Sequence, residues 1–121
     1  MQLKESGEMY LETIYMLQKE LGAVRSIDVC ERMGYSKPSI SRAMTLLRQG
    51  GYVEMDKQGF LTLTESGREV AQRMAERHAL ISDFLISIGV SEECAIDDAC
   101  KIEHVISDEA FSAIKKAMNK N

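Results

Sequence analysis

Tryptophan is absent from this chain, proline occurs once, and aromatic residues make up only 6% of its 121 positions. That scarcity points away from an aromatic β-sandwich and toward helices built on Leu, Ile and Met. No apolar run approaches the ~18 residues that a membrane span requires. The polar stretch from Met1 to Glu8 carries no signal-peptide pattern. Three cysteines without framework spacing suit a reducing cytoplasm better than a secreted disulfide scaffold, so a cytoplasmic protein is expected. The length allows one compact core, or two small units sharing one.

Excess positive charge is also lacking. The formal net charge is −4, which by itself argues against a nucleic-acid binder. Its distribution changes that reading. Residues 1–63 carry eight Lys/Arg and eight Asp/Glu, whereas residues 64–121 carry seven and eleven. Between Met33 and Val53 there is no acid, but Lys37, Arg42 and Arg48 are present. A neutral segment with one acid-free basic window is compatible with DNA contact.

What is present reads as an ordered series of elements. Ser6 and Glu8 open a helix in which Tyr10, Ile14, Leu17 and Leu21 form one buried stripe, and Gly22 ends it. A short second helix begins near Ser26 or Asp28 and stops at Gly34. Ser36 can cap a third, with Pro38 in the first turn, where its missing N–H costs little. Ile40, Ala43, Met44 and Leu47 line the core side of this helix, and Pro38, Ser41, Arg42 and Thr45 share the opposite face. Alternating segments from Tyr52 to Asp56 and from Phe60 to Thr64, around Lys57-Gln58-Gly59, predict a β-hairpin. A long helix over about Glu65 to Ile88 follows, with Val70, Met74, Ile81, Leu85 and Ile88 on or near its buried face; then a fifth over roughly Glu92 to Val105, and a sixth capped by Ser107. The expected fold is mainly α: a winged helix-turn-helix over 1–64, the element order of a DNA-binding domain, and a second, all-helical unit over 65–121.

The third helix carries the DNA-reading pattern. Small groups allow close approach to the major groove, while Arg and Lys reach bases and phosphates. Ser36, Lys37, Pro38, Ser39, Ser41 and Arg42 supply this face, with Arg42 the candidate for a base contact. Lys37 and Ser39 suit phosphates near the helix N-terminus, and Lys57 in the hairpin turn suits the flanking backbone. Any short amphipathic helix has a polar outer face; the two-helix lead-in and the following hairpin are what favour DNA.

A second constellation lies near the C-terminus. Cys100, Glu103 and His104 stand at i, i+3 and i+4 and so project from one helix face. Thiolate, carboxylate and imidazole are the common transition-metal donors. His78 on the long helix, and Met9 and Glu12 on the first, are further candidate metal ligands. Core packing for Met9 and a polar rim position for His78 remain open on spacing alone.

The segments GEMYLETIYML, SKPSISRAMTLLRQGGYV, LTLTESGREVA, RHALISDFL and DDACKIEHVISDEA together resemble, in order and over essentially the whole chain, the diphtheria-toxin-repressor family of metal-dependent transcriptional regulators. The resemblance is to a short form lacking the SH3-like domain of larger members. It implies a cytoplasmic homodimer that binds operator DNA, usually repressing metal-uptake genes. It also implies a divalent metal held between the DNA-binding and dimerisation domains. One ion there would fix the angle between domains, and so the spacing of two recognition helices about one DNA turn (~34 Å) apart. By position, the primary ligands fall on Met9, Cys100, Glu103 and His104. Met and Cys resemble the iron-type members, where manganese-type members have carboxylates. Sulfur donors favour Fe(II), with Co(II), Ni(II) or Zn(II) also suited better than Mn(II).

The second site of the family matches less well. His78 and Glu12 are in place, but Ser82 stands where a carboxylate is expected and Ile96 where iron-type members carry histidine. Those departures keep an alternative open: a winged-helix regulator with a degenerate metal site, answering to redox or another ligand. A small metalloenzyme is the other alternative; no nucleophile–base pair or oxyanion-hole motif supports it.

Overall fold

The computed structural model describes residues 5–119; the first half of the polar Met1-to-Glu8 stretch lies outside them. The chain forms two compact units, Met1–Gln72 and Arg73–Asn121.

In the first unit, α1 (Glu5–Leu21) buries Tyr10, Leu11, Ile14 and Leu17. Leu21, expected on the same stripe, is 55% exposed. Its azimuth is right, but periodicity gives an angle around a helix and not how far along the axis its cover extends. β1 (Val24–Arg25) leads directly into α2 (Ser26–Met33). There the Arg25 N–H donates to Asp28 Oδ2 at 2.8 Å, and Gly34, at φ 73°, donates its N–H to the Cys30 carbonyl to end the helix. α3 (Lys37–Gln49) has Ser36 as its cap, whose Oγ accepts from the Ser39 N–H at 3.3 Å. It buries Ile40, Met44 and Leu47; Ala43 is only half-buried.

β2 (Val53–Met55) and β3 (Phe60–Leu63) form the hairpin, with Val53 opposite Leu63 and Met55 opposite Leu61. Asp56 makes the turn. Its Oδ1 accepts from the Gln58 and Phe60 N–H groups, each at 2.9 Å, and its carbonyl accepts from Gly59 at 3.1 Å. The sheet has a third strand that the sequence did not announce. β1 pairs antiparallel with β3, Val24 opposite Leu61, giving the order β1-β3-β2. Two residues are too few to show a period of two. Leu11, Ile14, Val24, Val29, Ile40, Met44, Val53 and Leu61 are at the centre of one apolar core, to which Cys30 also belongs.

α4 (Glu65–Ser87) starts against this sheet and continues into the second unit. Thr64 pins its start: Oγ1 donates to the Gly51 carbonyl at 2.6 Å and accepts from the Gly67 N–H at 3.1 Å. Gly67 is required by proximity, because a Cβ there would lie 2.1 Å from the Tyr52 carbonyl oxygen.

The second unit holds the rest of α4, α5 (Glu92–Val105) and α6 (Asp108–Asn119). Gly89, at φ 108°, follows α4. Ser91 Oγ accepts from Cys94 N–H at 3.3 Å to cap α5, and Ser107 Oγ accepts from Ala110 N–H at 3.0 Å in the first turn of α6. Met74 and Ile81 are buried as expected, but Ile88, one residue past the end of α4, is 63% exposed. Ala95 and Ala99 are the buried apolar residues of α5, and α6 buries none. No disulfide joins Cys94 and Cys100; Cys94 Sγ lies 3.7 Å from Asp98 instead, and that carboxylate holds the thiol pKa above its ordinary value.

Candidate metal centre and DNA-binding face

Glu103 is the middle of the C-terminal constellation and the most unusual residue of the second unit. Its side chain is only 1% exposed, although an unpaired buried carboxylate is strongly unfavourable. Two imidazoles offset that cost. His78 Nδ1 lies 3.0 Å from Glu103 Oε2, and His104 Nε2 lies 3.2 Å from Oε1. The i, i+1 placement of Glu103 and His104 on α5 supplies one contact, and α4 brings in the other from 25 positions earlier. Cys100, one turn before Glu103, places Sγ 3.7 Å from the same His78 Nδ1. Sulfur, oxygen and nitrogen donors are therefore gathered within this one unit.

The electrostatics follow from the geometry. The hydrogen bond and negative charge of Glu103 raise the His78 pKa above its usual value, against the opposing effect of burial. The carboxylate thus favours positive charge beside it. A divalent cation offers the same compensation with more charge, and the donor set present is one that transition metals accept. The residues fit such an ion. Met9 and Glu12 lie on α1 of the first unit; Met9 is exposed and Glu12 half-buried. Ser82, one turn beyond His78 on α4, is buried, and its Oγ has no hydrogen-bond partner among the described residues. Ile96 is an exposed apolar residue on α5.

Sequence reasoning overlooked Arg77. It is buried, and its Nη1 donates to the carbonyls of Glu103 at 3.4 Å and Ile106 at 3.0 Å, while Nη2 pairs with Asp108. A signal was available: Val70, Met74, Arg77 and Ile81 stand at i, i+4, i+7 and i+11, so the arginine interrupts an apolar stripe.

In the first unit, Lys37, Pro38, Ser41 and Arg42 of α3 are exposed, as is Ser36 before it; Ser39 is half-buried. The Ser36 hydroxyl donates to Ser39 Oγ at 2.9 Å, and Thr45 Oγ1 donates to the Ser41 carbonyl at 3.0 Å. The short hydroxyls therefore lie close to the helix, and Lys37 and Arg42 have the reach. Lys57 is exposed in the β2–β3 turn. Arg25 stacks over Phe60 of the same sheet, 4.3 Å from the ring centroid.

A winged helix-turn-helix whose third helix exposes Lys37 and Arg42, followed by a helical unit bearing a sulfur, oxygen and nitrogen donor cluster, is the arrangement of a metal-responsive DNA-binding regulator. Residues 2–61 match the iron dependent repressor N-terminal DNA binding domain, and residues 64–121 match the iron dependent repressor metal binding and dimerisation domain. The transcriptional regulator MntR of Escherichia coli is 35% identical over 112 residues, covering 93% of this chain and 72% of that protein. The HTH-type transcriptional regulator MntR of Geobacillus kaustophilus is 38% identical over 109 residues, covering 90% and 77%. A solved manganese-dependent transcriptional repressor in complex with manganese superposes with a TM-score of 0.86 at 30% identity, over 95% of this chain. The chain spans about half, 53%, of the length of that solved chain. It belongs to the diphtheria-toxin-repressor and MntR family of metal-dependent transcriptional regulators, a family of repressors and not of enzymes. No helix among the described residues is long and apolar enough to cross a membrane.

Proposed function

We propose that this chain is a cytoplasmic, homodimeric repressor of metal-uptake genes whose operator affinity rises on binding Fe(II) or a similarly sulfur-tolerant divalent ion. The observation that carries the reading is the buried Glu103 carboxylate set between His78 and His104, with Cys100 beside them. Met9, Cys100, Glu103 and His104 would hold the ion, with Glu12 and His78 as additional donors. When bound, the ion supplies charge compensation and a fixed link among donors from both parts of the chain. The protein's own residues do the rest. Arg42 reads base edges, Ser36, Lys37, Pro38, Ser39 and Ser41 fit the groove and backbone, and Lys57 meets the flanking phosphates. Dimerisation is supported by the second unit, where α6 buries nothing and Ile86, Ile88 and Ile96 are exposed.

The metal preference rests on Cys100 and Met9, because thioether and thiolate donors disfavour Mn(II). A second reading, Mn(II), is favoured by the solved neighbour, whose structure contains manganese. Affinity alone does not separate the two, since Mn(II) is the weakest divalent binder in most sites. The test is an anaerobic selection of duplex DNA from a random pool, run with Fe(II), Co(II), Mn(II) or chelator, on wild type and Cys100→Asp. Enrichment of one sequence with Fe(II) or Co(II), moving toward Mn(II) in Cys100→Asp, is expected. Equal enrichment with chelator would overturn metal control; Mn(II) activation of the wild type in preference to Fe(II) would favour the second reading.

A further inference from the structure

From the geometry of the second unit, we infer that Arg77 is a positioning residue that sets Glu103 and His104 for metal binding; this rests on the ligand set proposed above. Four contacts carry it. The guanidinium donates to the carbonyls of Glu103 and Ile106, pairs with Asp108 in the first turn of α6, and lies over the Phe111 ring, 5.2 Å from its centroid.

Carbonyls in the last turn of a helix have no partner within that helix. A cation is also favoured at that end by the helix dipole. Arg77 serves both roles for α5, and its rigid planar fork sets donors on two separate nitrogens, Nη1 and Nη2, where an ammonium has a single nitrogen. The turn it grips is the one that bears Glu103 and His104.

The next residue of α4 is His78, which takes the Glu103 carboxylate. Glu103 is therefore held twice from consecutive positions on one helix: by its main chain through Arg77 and by its side chain through His78. Consecutive helical positions diverge by about 100°, so the two grips come from different sides and leave little rotation about the α5 axis. Arg77 touches neither Cys100 nor the carboxylate in any described hydrogen bond or ion pair. Its influence passes through the backbone.

The experiment uses the full chain and Co(II), whose visible spectrum reports coordination geometry and thiolate ligation. Arg77→Met is compared with Arg77→Lys and with Ile81→Ala, a buried α4 change that destabilises the second unit while removing no hydrogen bond or ion pair. Losing a partner that orients ligands costs about 10–100-fold in metal affinity. Arg77→Met is expected to fall in that range with an altered spectrum at saturation, and Arg77→Lys to recover part of the loss. Ile81→Ala is expected to stay within about threefold, below the range for orienting partners. Equal losses in Arg77→Met and Ile81→Ala, or none in Arg77→Met, overturn the inference while leaving the ligand set intact. Failure of the wild type to bind Co(II) overturns the ligand set, and the inference with it. If Arg77→Met does not fold, Arg77→Lys decides: wild-type affinity and spectrum overturn the inference, whereas a severalfold loss with a changed spectrum supports it.

Discussion

The two units are stabilised by different means. The first closes an apolar core from α1 to α3, three short strands and Ala71 of α4, and none of its described charged side chains is buried. The second has fewer buried apolar residues, and it buries Arg77, Ser82 and Glu103. Hydrophobic burial does not depend on protonation or on a bound cation, whereas buried charge does: a buried carboxylate needs a cation, and removing one partner of a buried pair costs more than the pair contributes. The first unit is therefore built to hold one shape, and the second to answer to what binds it.

Gly67→Val should produce the largest effect, because it attacks the place where α4 leaves the apolar unit. The new side chain would meet the Tyr52 backbone and not a flexible side chain, so a loss of about 3 kcal/mol or more is expected in urea unfolding. Retention of wild-type stability would show that α4 can lift from the sheet. Next in size, Glu103→Gln should weaken Co(II) binding by at least about 100-fold, roughly 2.7 kcal/mol, while leaving the first unit folded by circular dichroism. If metal affinity survives, the contrast between a fixed unit and a responsive one collapses.

Arg42→Ala tests the first unit's surface and not its core. A loss of about 2 kcal/mol in operator affinity is expected, with stability within about 0.5 kcal/mol of wild type; fluorescence anisotropy and thermal melts read the two quantities. The smallest change is expected for Lys115→Met. It removes the exposed Lys115–Glu76 pair, 2.8 Å, between α6 and α4. A cost of about 0.5 kcal/mol is typical of such pairs. A loss of several times that would mean that surface charge, and not only the buried groups, holds the second unit together.

Much of this division was legible in the sequence, for local reasons. Ser36, Pro38 and Gly34 announce helix ends through their own backbone chemistry, and Cys100, Glu103 and His104 share a face by spacing alone. Leu21 and Ile88 misled because an amphipathic period continues past the point where another element covers it. β1 escaped because its pairing with Leu61 and Phe60 is made across 35 or more positions by two residues. The closeness of His78 to Glu103 is likewise tertiary, since nothing local relates positions 25 apart. Arg77 was visible as a break in a stripe, but its partners, mostly main-chain carbonyls at a helix end, leave no trace in composition.

The Asp56 turn has a consequence for how such a regulator diversifies. Its hydrogen bonds use one aspartate and the backbone of residues 58 to 60, and none depends on the side chains of Lys57 or Gln58. The tip can therefore exchange its side chains freely while the loop keeps its shape. On the proposed reading, in which Lys57 meets the flanking phosphates, overall affinity for DNA can be tuned at this tip by single substitutions that leave the turn's hydrogen bonds intact.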